Sequence, residues 1–156
     1  MILVGVRVSA KTDYAVRALL ELAEGGDGPV KGERLAQAQD IPLKFLENIL
    51  TDLRHANIVR AQRGAEGGYW LARPAAEVTL GEVIRAVDGP LASVRGEAPE
   101  DVAYTGAAQN LQTVWIALRA SLRAVVDEVT LDDVVRGRLP DGVRRLTRSP
   151  DAWSRR

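Results

Sequence analysis

The sequence contains no cysteine and, among its 156 residues, one histidine and one methionine. Without thiols there is no disulfide, no thiolate metal site, no cysteine-ligated iron–sulfur cluster and no thiol redox switch. A zinc site made from the remaining ligand types needs more imidazole than His55 alone supplies. No metal or other cofactor is therefore expected. Aromatic residues are scarce at 4%, whereas apolar residues reach 46%, many of them Ala and Val. A core is affordable, but small side chains must build it. No uncharged apolar run approaches the ~18 residues of a membrane span. The apolar start Met1–Val8 is too short for a secretory leader with its cleavage site. These two absences predict a cytoplasmic protein with no membrane partner.

Net charge is also absent, with 21 Lys/Arg against 21 Asp/Glu. Its distribution is uneven. Residues 1–74 carry ten basic and nine acidic groups, residues 75–133 four and ten, and residues 134–156 seven and two. The acidic excess lies in the middle and the basic excess at the C-terminal end. Local charge governs contact with phosphate more than the total does. A mixed solvated surface explains the same counts.

What is present is organised. Ser9 caps a helix over about Ala10–Glu24, with Tyr14, Ala15, Ala18, Leu19 and Leu22 on one face. Gly25–Pro29 breaks it, and a short helix over roughly Gly32–Gln39 follows. After the turn Asp40-Ile41-Pro42, a helix with Pro42 at its first position runs to about Ala56. Its apolar set is Phe45, Leu46, Ile49, Leu50 and Leu53, and Asn57 suits a left-handed stop. Ile58–Arg63 and Tyr69–Ala72 read as two strands around the glycine-rich tip Arg63-Gly64-Ala65-Glu66-Gly67-Gly68. Period two places Val59, Ala61, Tyr69 and Leu71 toward the core. A helix followed by a basic, glycine-hinged hairpin is the outline of a winged helix-turn-helix, in which the helix reads the major groove and the wing lies along the backbone or in the minor groove.

Thr79-Leu80-Gly81-Glu82 is a capping box opening a helix to about Val87. Residues 91–108 lack a sustained period and read as a loop with a helical turn at most. A long helix over about Ala107–Glu128 carries Leu111, Trp115, Leu118, Leu122, Val125 and Val129 at alternating spacings of four and three, a heptad seam suited to a partner helix. Val114, Ala117, Ser121 and Ala124 form a second, smaller face. Thr130-Leu131-Asp132-Asp133 starts one more short helix. The expected architecture is mainly α with a small β-hairpin. Residues 8–90 form a winged helix-turn-helix DNA-binding domain and residues 91–135 a loop with a dimerisation helix. Residues 136–156 form a basic tail, partly disordered.

Four segments in order carry a family resemblance: Ser9–Leu19, Ile41–Leu50, Arg63-Gly64-Ala65-Glu66-Gly67-Gly68-Tyr69 and Ala86-Val87-Asp88-Gly89-Pro90-Leu91. Over roughly residues 8–133 the chain resembles the Rrf2 family of bacterial transcription regulators, the Arg-Gly-x-x-Gly-Gly-Tyr wing being the specific part. The resemblance implies a homodimer of winged-helix domains, joined by crossed long helices, on a palindromic operator in double-stranded DNA. Many members hold an iron–sulfur cluster through three cysteines in the loop after the helix ending Ala86-Val87-Asp88-Gly89. Here that loop has Ser93, Arg95, Glu97, Asp101 and Tyr104 and no Cys. Other members sense a small molecule or a partner protein, including a cysteine-metabolism repressor that binds cysteine synthase.

On this reading Leu43 and Lys44 lie near the groove, Lys44 on phosphate, with Glu47 and Asn48 as candidates for base edges. The alternative for Glu47 is a solvent-facing charge. Arg63 addresses the minor groove; Gly64, Gly67 and Gly68 shape the turn, with amides of the latter two available to phosphate. Ser9, Lys11 and Thr12 at a helix start are phosphate candidates, as is Arg34, for which an ion pair within its helix is equally open. Tyr104 and Trp115 are speculative effector residues, and packing is the alternative for Trp115. The acidic loop residues Glu97, Glu100 and Asp101 lack a second ligand cluster, and His55 reads as a surface or capping residue. The function expected is a DNA-binding regulator, a repressor without a cluster. The competing class is an interaction module that docks a metabolic enzyme such as cysteine synthase. No nucleophile–base spacing and no phosphate loop of Walker type supports an enzyme.

Overall fold

The computed structural model describes residues 6–156; Met1–Gly5, part of the apolar start, lie outside the described residues. Helix α1, Ala10–Glu24, begins where the Ser9 hydroxyl accepts the Thr12 amide at 3.0 Å. It buries Ala15, Ala18, Leu19 and Leu22. Helix α2, Gly32–Gln39, ends at Asp40, whose φ of 51° is a left-handed conformation an acidic side chain tolerates. That turn returns the Ile41 amide to the Ala36 carbonyl at 2.8 Å and buries Ile41. Helix α3, Leu43–His55, buries Leu46, Ile49, Leu50 and Leu53 and stops before Asn57, at φ 58°. The antiparallel strands β1, Val59–Gln62, and β2, Gly68–Leu71, pair Val59 with Leu71 and Gln62 with Gly68. Helix α4, Leu80–Asp88, is capped by Thr79 and contributes Val83 and Val87 to the core shared with α1 and α3.

Helix α5, Leu111–Val126, follows two single turns of 3₁₀ helix and stands apart from that core. None of its residues is buried. The chain then returns: the Leu80 amide donates to the Val129 carbonyl and the Leu131 amide to the Val78 carbonyl. This seats fully buried Leu131 at the head of α6, Leu131–Arg136, behind a complete Thr130–Asp133 capping box. Helix α7, Asp141–Leu146, packs against α5.

Several expectations are corrected. Val129 is 3% exposed and belongs to the return segment, so it leaves the α5 seam. The other five seam residues, Leu111, Trp115, Leu118, Leu122 and Val125, are half-covered by their own chain, while Val114, Ala117, Ser121 and Ala124 face outward. Phe45 is 60% exposed. At about 100° per residue it sits at the margin of the α3 apolar arc, roughly 90° from the centre of the buried residues. Ala61 is exposed because the hairpin stands clear of the body beyond Val59. The tail is helical at α7 and ends in a 3₁₀ turn, Pro150–Trp153.

Arg85 of α4 clasps Asp127 with both terminal nitrogens at 2.8 Å. That hydrogen bonding, against some burial, holds the Asp127 carboxyl below the usual carboxylate range. The pair's contribution is present above that range and is lost as pH falls through the lowered value. Replacing Asp127 by Asn is expected to cost under ~1 kcal/mol at neutral pH, since the pair is about one-third exposed, and to remove this acid-side loss in urea titrations across pH. Gly81 keeps room for the same carboxylate, because a Cβ there would lie 1.9 Å from Asp127 Oδ1. Gly-to-Ala in a helix ordinarily stabilises by ~0.5–1 kcal/mol. Gly81→Ala is expected to push the Asp127 carboxylate aside and lose the pair with Arg85, cancelling that gain and leaving stability in urea unfolding within ~1 kcal/mol of the parent.

Candidate nucleic-acid interface

The wing is fastened by one bridge. Val30 and Tyr69 exchange amide-to-carbonyl hydrogen bonds at 2.9 and 2.8 Å, just before α2 begins. The neighbouring Lys31 Nζ donates to the Gly64 carbonyl at the wing tip. Gly68 is what lets the strand come so close: its φ is 151°, and a Cβ would lie 2.7 Å from the Val30 backbone. Gly67 is likewise enclosed, by the Gln62 carbonyl, and is buried with Gly68. These two glycines hold turn and bridge geometry; Gly64, at φ 102°, is open to solvent.

Between α3 and the wing lies a groove of about 590 Å³. Leu43, Glu47, Thr51 and Arg54, spaced four, four and three, form its helical wall. Gln62, Arg63 and Gly64 form the wing wall, with Lys31 closing one end. Glu47 shares the groove lining with the cations Lys31, Arg54 and Arg63 and with one further carboxylate, Glu33. Lys44 and Asn48 are exposed on α3 outside the groove, beside Phe45. Among the described residues, Arg34, Lys44, Arg54, Arg60 and Arg63 make no ion pair and are exposed. Unpaired cations around a helix and a hairpin tip leave charge available to a polyanion.

The α1 start differs from expectation. Thr12 is 4% exposed and donates its hydroxyl to Asp88 at 2.7 Å, so it is withdrawn from phosphate contact. Ser9 also donates to Asp88 while capping α1. Lys11 is paired with Asp52 of α3 at 2.7 Å and half-exposed, so a phosphate would compete with that carboxylate. Tyr104 and Trp115 do not frame an open pocket: the indole N–H donates to the phenol oxygen at 3.0 Å. His55 is exposed at the end of α3, outside the groove.

Lys31, Thr51 and Arg54 line the groove and Phe45 is exposed beside it, positions the sequence reading does not assign to the site. Thr51 and Arg54 carried a signal, since they lie four and seven residues after Glu47. Phe45 is an apolar side chain of the type that meets thymine methyl groups.

A helix-turn-helix whose third helix faces a basic hairpin across a groove is a winged helix-turn-helix DNA-binding head. The chain belongs to the Rrf2 family: the family model, described as an iron-dependent transcriptional regulator, matches residues 8–137. It is 51% identical over 142 residues to Rv1287 of Mycobacterium tuberculosis strain H37Rv, which bears an HTH-type transcriptional regulator name, covering 90% of this chain and 88% of that protein. It is 32% identical to the HTH-type transcriptional regulator CymR of Bacillus subtilis, over 83% of this chain and 89% of the relative. The solved structure of CymR, titled the global cysteine regulator of B. subtilis, superposes with a TM-score of 0.70, covering 85% of this chain and 98% of that one. The T. potens IscR structure gives 0.69 at 31% identity, covering 85% and 88%. The chain is a DNA-binding transcriptional regulator and not an enzyme. Among the described residues no helix is long and apolar enough to cross a membrane.

The family description invokes iron, and the residues here do not fit a thiolate-held cluster. The chain has no Cys, and among the described residues no three His, Asp or Glu side chains converge. Glu100 of the 91–108 loop is instead paired with Arg119 at 2.6 Å.

Gly68→Ala is expected to break the Val30–Tyr69 bridge and free the wing. Hydrogen exchange should show the Tyr69 amide losing protection while core amides of α1 keep theirs.

Proposed function

We propose that this protein is a homodimeric, cluster-free repressor of the cytoplasm that binds a palindromic operator. Helix α3 enters the major groove and the wing tip lies over the adjacent minor groove. The observation that carries the reading is the groove between α3 and the wing, which Glu47 lines together with the cations Lys31, Arg54 and Arg63 and the carboxylate of Glu33. Flanking cations hold the backbone on both sides, while the Glu47 carboxylate accepts from a cytosine amino group. Phe45, Lys44 and Asn48 extend the contact along the outer side of α3. The dimer is supported by α5, a 16-residue helix with no buried residue, whose Val114, Ala117, Ser121 and Ala124 face is exposed, Val114 at 53%. A second copy gives that face a partner and spaces two α3 helices for two half-sites. Regulation without a cluster is supported by the donor set of the 91–108 loop.

Fluorescence anisotropy with the duplex upstream of its own gene, against a scrambled duplex over a range of salt, tests the reading. Equal affinity for both at moderate salt would sink it. Arg63→Ala is expected to weaken both complexes by about 1 kcal/mol or more and to reduce the salt slope by about 1. Glu47→Ala is expected to cost about 1–3 kcal/mol on the operator alone. Ala117→Glu, on the outward face of α5, is expected to give monomers in sedimentation equilibrium with helix content unchanged, and to lose operator binding. A wild-type monomer at the same concentration would remove the dimer. Anoxically purified protein is expected to be colourless and to contain no stoichiometric iron.

A further inference from the structure

A second cleft, of about 230 Å³, lies away from the DNA-binding head, between the Pro90–Pro99 segment, the end of α4 and one flank of α5. Three guanidiniums line it: Arg85, Arg119 and Arg123. Pro90, Leu91, Ala98 and Pro99 make the rest of its wall. Arg85 is held by Asp127 and Arg119 by Glu100. Arg123 makes no ion pair among the described residues, although it acts on both of those carboxyls, helping to lower them. Glu82 also faces Arg85, but it is paired with Arg73. The surroundings therefore hold one guanidinium more than they hold carboxylates. Arg119 is largely covered, whereas Arg85 and Arg123 stand exposed at the rim, and a guanidinium fork that no carboxylate holds suits an oxyanion.

Size limits the ligand. An apolar cavity of about 150 Å³ holds benzene, and drug-sized ligands need upwards of about 300 Å³. We propose that this cleft binds a small organic monocarboxylate with a compact apolar body, of about nine non-hydrogen atoms in all. Its carboxylate meets Arg123 and Arg119, and its body lies on Leu91, Pro90 and Pro99. Arg119 and Arg123, four residues apart, share a flank of α5 roughly 140–180° around the helix from the middle of the Val114, Ala117, Ser121 and Ala124 face. A second copy on that face leaves the cleft open.

The cleft also touches the element that holds the head. Arg85 lies three residues before Asp88, which takes the hydroxyls of Ser9 and Thr12 at the start of α1. Arg85 and Asp88 share the last turn of α4, so a ligand that shifts that turn reaches the start of α1. Calling such a ligand an effector rests on the DNA-binding reading; occupancy of the cleft does not.

The test uses the full chain, free of DNA, with amide NMR and benzoate as the probe. Sodium chloride and inorganic phosphate at matched ionic strength are the comparisons. Benzoate is expected to give saturable shifts confined to amides of residues 85–99 and 119–123. Arg123→Gln is expected to weaken its binding about tenfold or more, as loss of a charge-assisted hydrogen bond does. Leu91→Asp, which puts a carboxylate on the apolar wall, is expected to abolish binding, and Arg95→Gln, in the same loop but outside the cleft, to leave it unchanged. Shifts that fail to saturate, that chloride reproduces, or that survive Arg123→Gln at full affinity overturn the proposal. Tighter binding of phosphate than of benzoate overturns the organic carboxylate.

Discussion

The DNA-binding face depends on two hydrogen bonds between Val30 and Tyr69. A two-stranded hairpin alone is marginal in water. Here one of its strands gains a second neighbour from the segment that leads directly into α2, so the wing and the helix-turn-helix are referenced to the same residue. The wing wall of the groove is thereby tied to the residue that precedes α2, the helix packed against α3. Lys31 completes the fastening at the tip, where its ammonium serves the Gly64 carbonyl instead of an acidic partner.

The head was legible in the sequence because its signals are local. Ser9, Thr79 and Thr130 are caps whose partners lie three residues away, and they mark helix starts to within a residue. The hairpin was legible from its glycines. Phe45 was misplaced because periodicity identifies an apolar arc without saying where its edge leaves the core. The α5 seam shows a related limit: heptad spacing says that a neighbour is needed, not whether it is the same chain or another. Thr12 was misread because the group that claims its hydroxyl, Asp88, lies 76 residues on. The arginine cleft is non-local too, its residues coming from α4, a loop and α5.

This chain ties the loop after α4 through polar contacts. The Gln112 amide nitrogen lies 3.0–3.2 Å from the carbonyls of Pro99, Glu100 and Val102. Arg119 pairs with Glu100, and Trp115 with Tyr104. Ala92 and Arg95 both sit at φ 52°, a conformation costly for residues with a Cβ, which persists only where the surroundings impose it. The loop is therefore ordered by its contacts with α5, and what happens at α5 is felt there.

The segregation of charge has a consequence for encounter. A molecule without net charge feels no overall pull toward a polyanion at long range. One with unpaired cations around α3 and the wing, and ten acidic groups between residues 75 and 133, behaves as a dipole. In the steep field close to a duplex, a dipole experiences torque before it experiences contact. The positive end includes the last stretch of the chain, residues 134–156 with seven basic groups against two acidic, so that the field aligns the molecule through its tail as well as its head, without the indiscriminate adhesion that a strongly cationic surface would bring.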